Sequence, residues 1–244
     1  MRLGSSNYVF KKILNDKELL ENYESCTYKG ITLKVLYFLL MTVLGAGLGI
    51  FLALSYIDLF IYLAVISGFV TFISALVAML SVKASKVFGT VYCLFEGLTL
   101  GVLSYILTIY VNGAVGLALL STIAVFGVCS FLFVSNIVKV NSKFMRFLTL
   151  FVISYIVFAL ILTIMQLFGY EMNYGLDLLV SAISIFIASL YLFFDLENIR
   201  QVVQGQYPKQ YEWYAAFGLS FTLIWLYVEI LRIAIVILSK ANDR

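Results

Sequence analysis

Seven apolar stretches, each long enough to cross a lipid bilayer as a helix, dominate this sequence of 244 residues. A helix needs about 20 consecutive apolar residues to cross the hydrocarbon core of a bilayer. The connections between the stretches are short, and the one proline, Pro208, lies in the last connection and interrupts none of them. We therefore predict an all-α integral membrane protein with seven transmembrane helices. The stretches are 32–54, 57–80, 87–110, 114–136, 145–169, 177–202 and 213–239.

The overall composition supports the same conclusion. Hydrophobic residues make up 63% of the sequence and charged residues only 12%. Soluble domains are closer to about half apolar and about a quarter charged. The formal net charge of +3 is small and dispersed, so nucleic acid is not an expected partner. The polar first residues contain no short apolar run ahead of a cleavage site, which predicts that no signal peptide is removed.

The connections leave no room for a second domain. We predict a cytoplasmic N-terminal segment over residues 1–31 and a single transmembrane domain over residues 32–240. Within the first segment, residues 8–23 place apolar side chains at approximate helical spacing. This pattern fits either a short amphipathic helix on the membrane interface or a solvated tail.

Basic residues alternate between the connections and indicate the orientation of the chain. Every second connection contains lysine or arginine, and the others contain none. The positive-inside rule then places the N-terminus in the cytoplasm, and an odd number of spans places the C-terminus outside. Lys240 and Arg244 oppose this arrangement, and six spans with a re-entrant seventh segment would remove the conflict. The alternating basic residues are Lys83, Lys86, Lys139, Lys143, Arg200 and Lys209.

Several kinds of site are excluded or disfavoured. The chain has no histidine, which excludes a histidine metal site and a Ser-His catalytic pair. The cysteines Cys26, Cys93 and Cys129 are too few and too scattered for a disulfide framework. No cofactor is expected.

Glycines inside the first and third stretches predict close helix packing. Gly45, Gly47 and Gly49 belong to "GAGLG" in the first stretch, and Gly97 and Gly101 repeat the four-residue spacing in the third. A phosphate-binding loop would need a preceding strand and an aqueous crevice, which mid-span glycines do not have. Small residues at this spacing let two membrane helices approach closely.

Four acidic residues lie well inside the apolar stretches. A carboxylate in hydrocarbon must be neutralised, paired or in contact with water. Glu96 is near the middle of the third stretch and is either a functional acid or a protonated one that is hydrogen-bonded to a neighbouring helix. Glu197, near the end of the sixth, is interpreted as partly hydrated or paired with Arg200.

Asp195 and Glu229 are the stronger functional candidates because they lie on consecutive, antiparallel stretches. Their estimated depths, about 15 and about 22 Å from the same membrane face, agree within the error of placing helix ends. Two carboxyl groups close together in a low dielectric share a proton, and the pair can repel or bind a cation in another state. Arg232, three residues beyond Glu229 on the same helix face, offers the alternative of a purely structural ion pair.

Four motifs in order along the chain carry a family resemblance. These are "CTYKG", "FEGLTLG", "FFDLENI" and "EWYAAFGLSFTLIWLYVEILRI". Together they resemble the Bax inhibitor-1 family of transmembrane Bax-inhibitor-motif proteins, in particular its bacterial YccA-type branch. The resemblance implies a multi-pass protein of the bacterial inner membrane in which the seventh helix is surrounded by the other six. It also implies a pH-sensitive calcium leak that is gated by an acidic pair on helices six and seven.

The resemblance assigns the gating and proton-sensing roles to Asp195 and Glu229, which would also be the transient calcium ligands. Better-studied relatives have aspartate at the position of Glu229, so the longer side chain is expected to shift the geometry of the pair. Glu96, Glu197 and Arg232 are accessory candidates. Some relatives also carry an acid on the second helix, and residues 61–80 contain none.

Three functions therefore stay open. The first is a calcium leak, the second a proton-coupled transporter of a small solute, and the third a non-transporting regulator of a membrane protease or stress pathway. The expected partners are the lipid bilayer, calcium ions, protons and, for the third function, another membrane protein. No enzymatic activity is expected, since an intramembrane aspartyl protease has glycine beside its second acid and Glu229 lies between Val228 and Ile230.

Overall fold

A computed structural model describes residues 24–55, 57–111, 113–170 and 173–242 of the chain. The segment 8–23, for which a surface helix or a solvated tail was predicted, lies outside these residues. The described ranges contain seven helices whose bounds differ from the predicted stretches by only a few residues. They are α1 (Tyr28–Ser55), α2 (Ile57–Leu80), α3 (Ser85–Tyr110), α4 (Ala114–Val134), α5 (Ser142–Leu167), α6 (Tyr174–Gln204) and α7 (Tyr211–Asn242).

Six of the helices are long and apolar enough to cross a membrane, namely α1, α3, α4, α5, α6 and α7. In α2 the comparable apolar stretch is the shorter Ile66–Leu80. The chain is thus a multi-pass membrane protein by length and composition. The count of seven spans, the cytoplasmic N-terminus and the outward C-terminus stay predictions.

Local signals in the sequence set the ends of α5 and α6. The side chain of Asn141 accepts a hydrogen bond from the N–H of Phe144 at 2.9 Å, and that of Asn173 accepts one from Leu176 at 2.8 Å. Both are N-caps that satisfy a backbone donor in the first turn of a helix. Gly205 is the C-cap residue of α6, and its N–H donates to the carbonyl of Gln201 at 2.8 Å.

The predicted packing role is confirmed for Gly45, Gly49, Gly97 and Gly101 at the contact between α1 and α3, and it is wrong for Gly47. A Cβ atom added at Gly45 or Gly49 would overlap the backbone of Leu94 or Leu98 on α3. The same addition at Gly97 or Gly101 would overlap the backbone of α1. The two helices therefore approach each other backbone to backbone through four interleaved glycines. Gly47 differs, because nothing lies within 4 Å of the position of its Cβ.

The first sequence motif, "CTYKG", pairs with the connection ahead of α7. The N–H of Cys26 donates to the carbonyl of Tyr207 at 2.8 Å, and the N–H of Lys209 donates to the carbonyl of Glu24 at 2.9 Å. The Cys26 thiol donates to the carbonyl of Pro208 at 3.1 Å. Burial, together with the nearby Glu212 carboxylate, raises the pKa of this thiol to about 11. The thiol therefore keeps its proton at neutral pH and stays a hydrogen-bond donor.

A buried ion pair next fixes the start of α7 to α1. Glu212, only 1% exposed, pairs with Lys34 and accepts hydrogen bonds from the N–H and hydroxyl of Thr27 at 2.9 and 3.2 Å. Lys34 and Lys86 lie 5.2 and 5.0 Å from the ring centre of Trp213. Sequence reasoning missed this pair, although a lysine inside the first apolar stretch was an available signal.

The last helix makes the most varied contacts. It packs against α1, α2, α3, α4 and α6. Within the described residues it does not contact α5. The predicted enclosure of the seventh helix by all six others is therefore not confirmed.

The glycine contact predicts a large difference between two neighbouring substitutions. Gly45→Val should destabilise the protein by about 1–3 kcal/mol or more, because a side chain there must push α1 away from α3. Gly47→Val should leave stability nearly unchanged because its surroundings are open. Thermal unfolding of the two purified variants, followed by tryptophan fluorescence, measures the difference. Equal melting temperatures would contradict the packing role.

The buried ion pair predicts a second contrast. Glu212→Gln should destabilise the protein by about 3–5 kcal/mol, because it leaves Lys34 buried without its counter-charge. Glu24→Gln is the matched control, since Glu24 pairs with Lys209 at the surface and should change stability little. The same unfolding measurement compares the two variants. A Glu212→Gln protein as stable as Glu24→Gln would show that the pair does not anchor α7.

Candidate functional site between helices six and seven

Asp195 is a buried acid on α6 whose partner lies on α7. Its side chain is 7% exposed, and one carboxylate oxygen accepts a hydrogen bond from the hydroxyl of Thr222 at 2.6 Å. The other oxygen lies 3.4 Å from the position that a Cβ atom would take at Gly218. Gly218 and Thr222 are one helical turn apart. The carboxyl group is therefore held against one face of α7, where the missing side chain of Gly218 leaves room for it.

Glu229 lies further along the same face of α7. It is seven residues beyond Thr222, which corresponds to about two turns and about 10 Å of helix rise. The indole N–H of Trp225 donates to one carboxylate oxygen at 3.3 Å. The other oxygen is buried and has no hydrogen-bond partner in the described part of the chain. Half of this carboxyl group is thus unsatisfied.

The structure gives the two predicted acids different partners, Thr222 across the helix contact for Asp195 and Trp225 of its own helix for Glu229. Asp195 is bonded at the level of Thr222, about 10 Å along α7 from Glu229. In this structure the two carboxyl groups therefore do not form the proton-sharing pair that the sequence predicted. Direct contact between the carboxyl groups of Asp195 and Glu229 requires α6 to slide along α7. Such contact stays a prediction.

Arg232 pairs across helices. Its guanidinium lies 2.6 Å from a carboxylate oxygen of Asp177 in the first turn of α6. The structure therefore does not contain the alternative ion pair between Arg232 and Glu229, because Arg232 is bound to Asp177.

The two accessory acids have different surroundings. Glu197 forms an ion pair with Arg200, which confirms that prediction, and it accepts a hydrogen bond from Gln201 at 3.0 Å. Glu96 is partly buried on α3. Helices α3 and α6 do not contact each other within the described residues, so the structure does not bring Glu96 to Asp195. A functional role for Glu96 stays a prediction.

No group of three or more acidic or cysteine side chains that could hold a metal occurs among the described residues. Calcium binding by Asp195 and Glu229 therefore stays a prediction. A cavity of about 1160 Å³ lies on another side of α7, where apolar residues such as Leu219, Leu223 and Tyr227 line it. Neither Asp195 nor Glu229 lines this cavity.

Sequence reasoning missed Thr222 and gave Asp177 no role in the site. An isolated threonine in an apolar stretch is common. A functional role can be inferred for it only when it is known to face an acid on the next helix. That information lies in the register of α6 against α7, which the sequence pattern does not contain.

Comparison with known families agrees with this architecture. A profile of the family described as Bax inhibitor 1 like matches residues 7–239, which is nearly the whole chain. No curated protein matches the sequence. The profile does not distinguish the YccA-type branch from others. On the strength of this match along its length, the chain belongs to the Bax inhibitor 1-like family of membrane proteins.

Proposed function

We propose that the protein is a pH-sensitive calcium leak of the bacterial plasma membrane, without enzymatic activity, that opens where α6 meets α7. The observation that carries the proposal is the buried Asp195 carboxyl group, which joins the two helices through Thr222. Membership of the family supports a membrane protein of this general kind.

Proton binding at Asp195 supplies the switch in this proposal. An ionised carboxylate only accepts hydrogen bonds, and it binds a hydroxyl donor more strongly than a neutral carboxyl group does. Loss or gain of the proton therefore changes the strength of the contact with Thr222. Because that contact holds α6 against α7, the ratio of closed to open molecules changes with it.

The acids also supply oxygen ligands for a cation. Calcium prefers hard oxygen atoms from carboxylates, carbonyls and water. Asp195 and Glu229 lie at successive levels of one interface, so a cation moving along it would meet them in turn. The Arg232–Asp177 ion pair lies beyond Glu229 and closes the far end of this path.

The continuity of the two helices favours a leak over a proton-coupled transporter. Transporter sites are commonly built from interrupted helices at the middle of the membrane. Here α6 and α7 are described as unbroken helices of 31 and 32 residues. The third function, regulation of a membrane protease, would be favoured by a protein that binds a partner but conducts no calcium.

The first functional prediction concerns Asp195. In liposomes loaded with a calcium-sensitive dye, the wild-type protein should admit calcium at a rate that depends on pH. Asp195→Asn should flatten that pH profile, because the switch loses its ionisable group. Glu24→Gln is the control, because Glu24 is a surface acid outside the helices, and it should keep the profile. Calcium entry no faster than in empty liposomes at any pH would overturn the proposed leak.

The second functional prediction concerns Thr222. Thr222→Val removes the hydroxyl but keeps the shape of the side chain, and Thr222→Ser restores the hydroxyl. A hydrogen bond to a charged group contributes about 1.5–3 kcal/mol, so its loss should raise the leak of the closed protein about tenfold or more. Thr222→Ser should behave like the wild type in the same liposome assay. Equal leak rates for Thr222→Val and Thr222→Ser would show that this contact does not hold the gate closed.

A further inference from the structure

One face of α6 carries a line of polar residues that runs along much of the helix. At 100° per residue, Asp177, Ser181, Ser184 and Asp195 lie within about 60° of one another around the helix. Both serines are fully buried, at 0% exposure. A polar line of this kind, inside an apolar bundle, needs partners on the facing helix.

Contacts at both ends show that this line faces α7. At one end Asp177 binds Arg232, and at the other Asp195 binds Thr222. The helices are antiparallel, so the buried Ser181 and Ser184 lie between these two contacts, on the face of α6 that is turned toward α7. Glu229 is the acidic residue of α7 that falls within this interval, and its direction around the helix is within about 20° of that of Thr222.

Three side-chain oxygens in this interval lack hydrogen-bond partners among the described residues. The hydroxyls of Ser181 and Ser184 and one carboxylate oxygen of Glu229 are buried without a hydrogen bond to any described residue. Other serines in these helices behave differently. Ser189 and Ser220 each donate to the carbonyl four residues earlier, at 2.8 Å.

Such an arrangement is costly unless something occupies it. A buried hydroxyl without a hydrogen-bond partner destabilises the fold, and an unpaired buried carboxylate destabilises it more. Arg232 does not relieve Glu229, because its guanidinium is bound to Asp177. A cation would supply the missing positive charge and take the serine oxygens as ligands. One carboxylate balances a single positive charge, whereas calcium sites usually gather six to eight oxygen ligands with several carboxylates.

We propose that Glu229, Ser181 and Ser184 form a binding site for a small monovalent cation of the sodium class, enclosed between α6 and α7. The site follows from the packing of these two helices and does not depend on calcium conduction. A cation bound only to the folded protein stabilises it in proportion to the occupancy of the site. Sodium should therefore stabilise the closed arrangement of α6 and α7.

The test is thermal unfolding of the purified full-length protein in detergent, in sodium chloride or choline chloride at equal ionic strength and pH. The melting temperature should rise with sodium and reach a plateau. Ser181→Ala combined with Ser184→Ala should increase the half-saturating sodium concentration about tenfold or more. Ser189→Ala is the matched control and should keep the wild-type response, because its hydroxyl is satisfied within its own helix.

Glu229→Gln should abolish the sodium response, and the serine variants keep the proposal testable if Glu229→Gln does not fold. Equal melting temperatures in sodium and choline would overturn the site. So would a response to calcium alone, or a sodium response that the serine substitutions leave unchanged. Sodium stabilisation without calcium flux would support this site while contradicting the leak, and a leak without sodium stabilisation would do the reverse.

Discussion

Polar and charged side chains inside an apolar helical bundle must find their partners on other helices, and the position of α7 follows from this constraint. Glu212 binds Lys34 on α1, Asp195 on α6 binds Thr222, and Arg232 binds Asp177 on α6. These contacts lie near the start, middle and far part of the helix. Because each loses its stabilisation if α7 shifts, the three together fix the height and rotation of α7. The apolar surroundings then make each contact stronger than it would be in water.

The positions of the helices could be predicted from the sequence, because runs of about 20 apolar residues and short polar connections leave few alternatives. The packing of Gly45 and Gly97 was also predictable, since close approach is the usual reason for glycines four residues apart in membrane helices. Gly47 belongs to the same sequence motif and makes no such contact. Gly47 lies only two residues from Gly45 and from Gly49, which places it on nearly the opposite side of α1.

The partners of the acids were harder to predict, for a physical reason. Helical periodicity gives the direction of a side chain around its own helix, but it does not give the height of one helix against the next. A shift of two turns separates an Asp195–Glu229 pair from the observed Asp195–Thr222 contact. The pairing of Glu197 with Arg200 was predictable because both residues lie on one helix, three positions apart.

The contacts of α6 with α7 suggest how one interface can serve several purposes. The ion pair Arg232–Asp177 holds one end of the interface, and the hydrogen bond Thr222–Asp195 holds the other. Between them lie side-chain oxygens that have no hydrogen-bond partner among the described residues. Oxygens without hydrogen-bond partners, lying between two polar contacts that hold the helices together, are suited to small ions. A bound ion would supply the contacts that these oxygens lack. The cavity on another side of α7 is lined mainly by apolar side chains and is suited to hydrocarbon instead.

The central claim is that α6 and α7 move against each other when the protein opens. Spin labels attached to cysteines placed at Phe186 and Ile237, two exposed positions on these helices, would report their separation in a background without the native cysteines. Our account predicts that the separation changes over the same pH range in which calcium flux changes in liposomes. A separation that stays constant while the flux changes would contradict it.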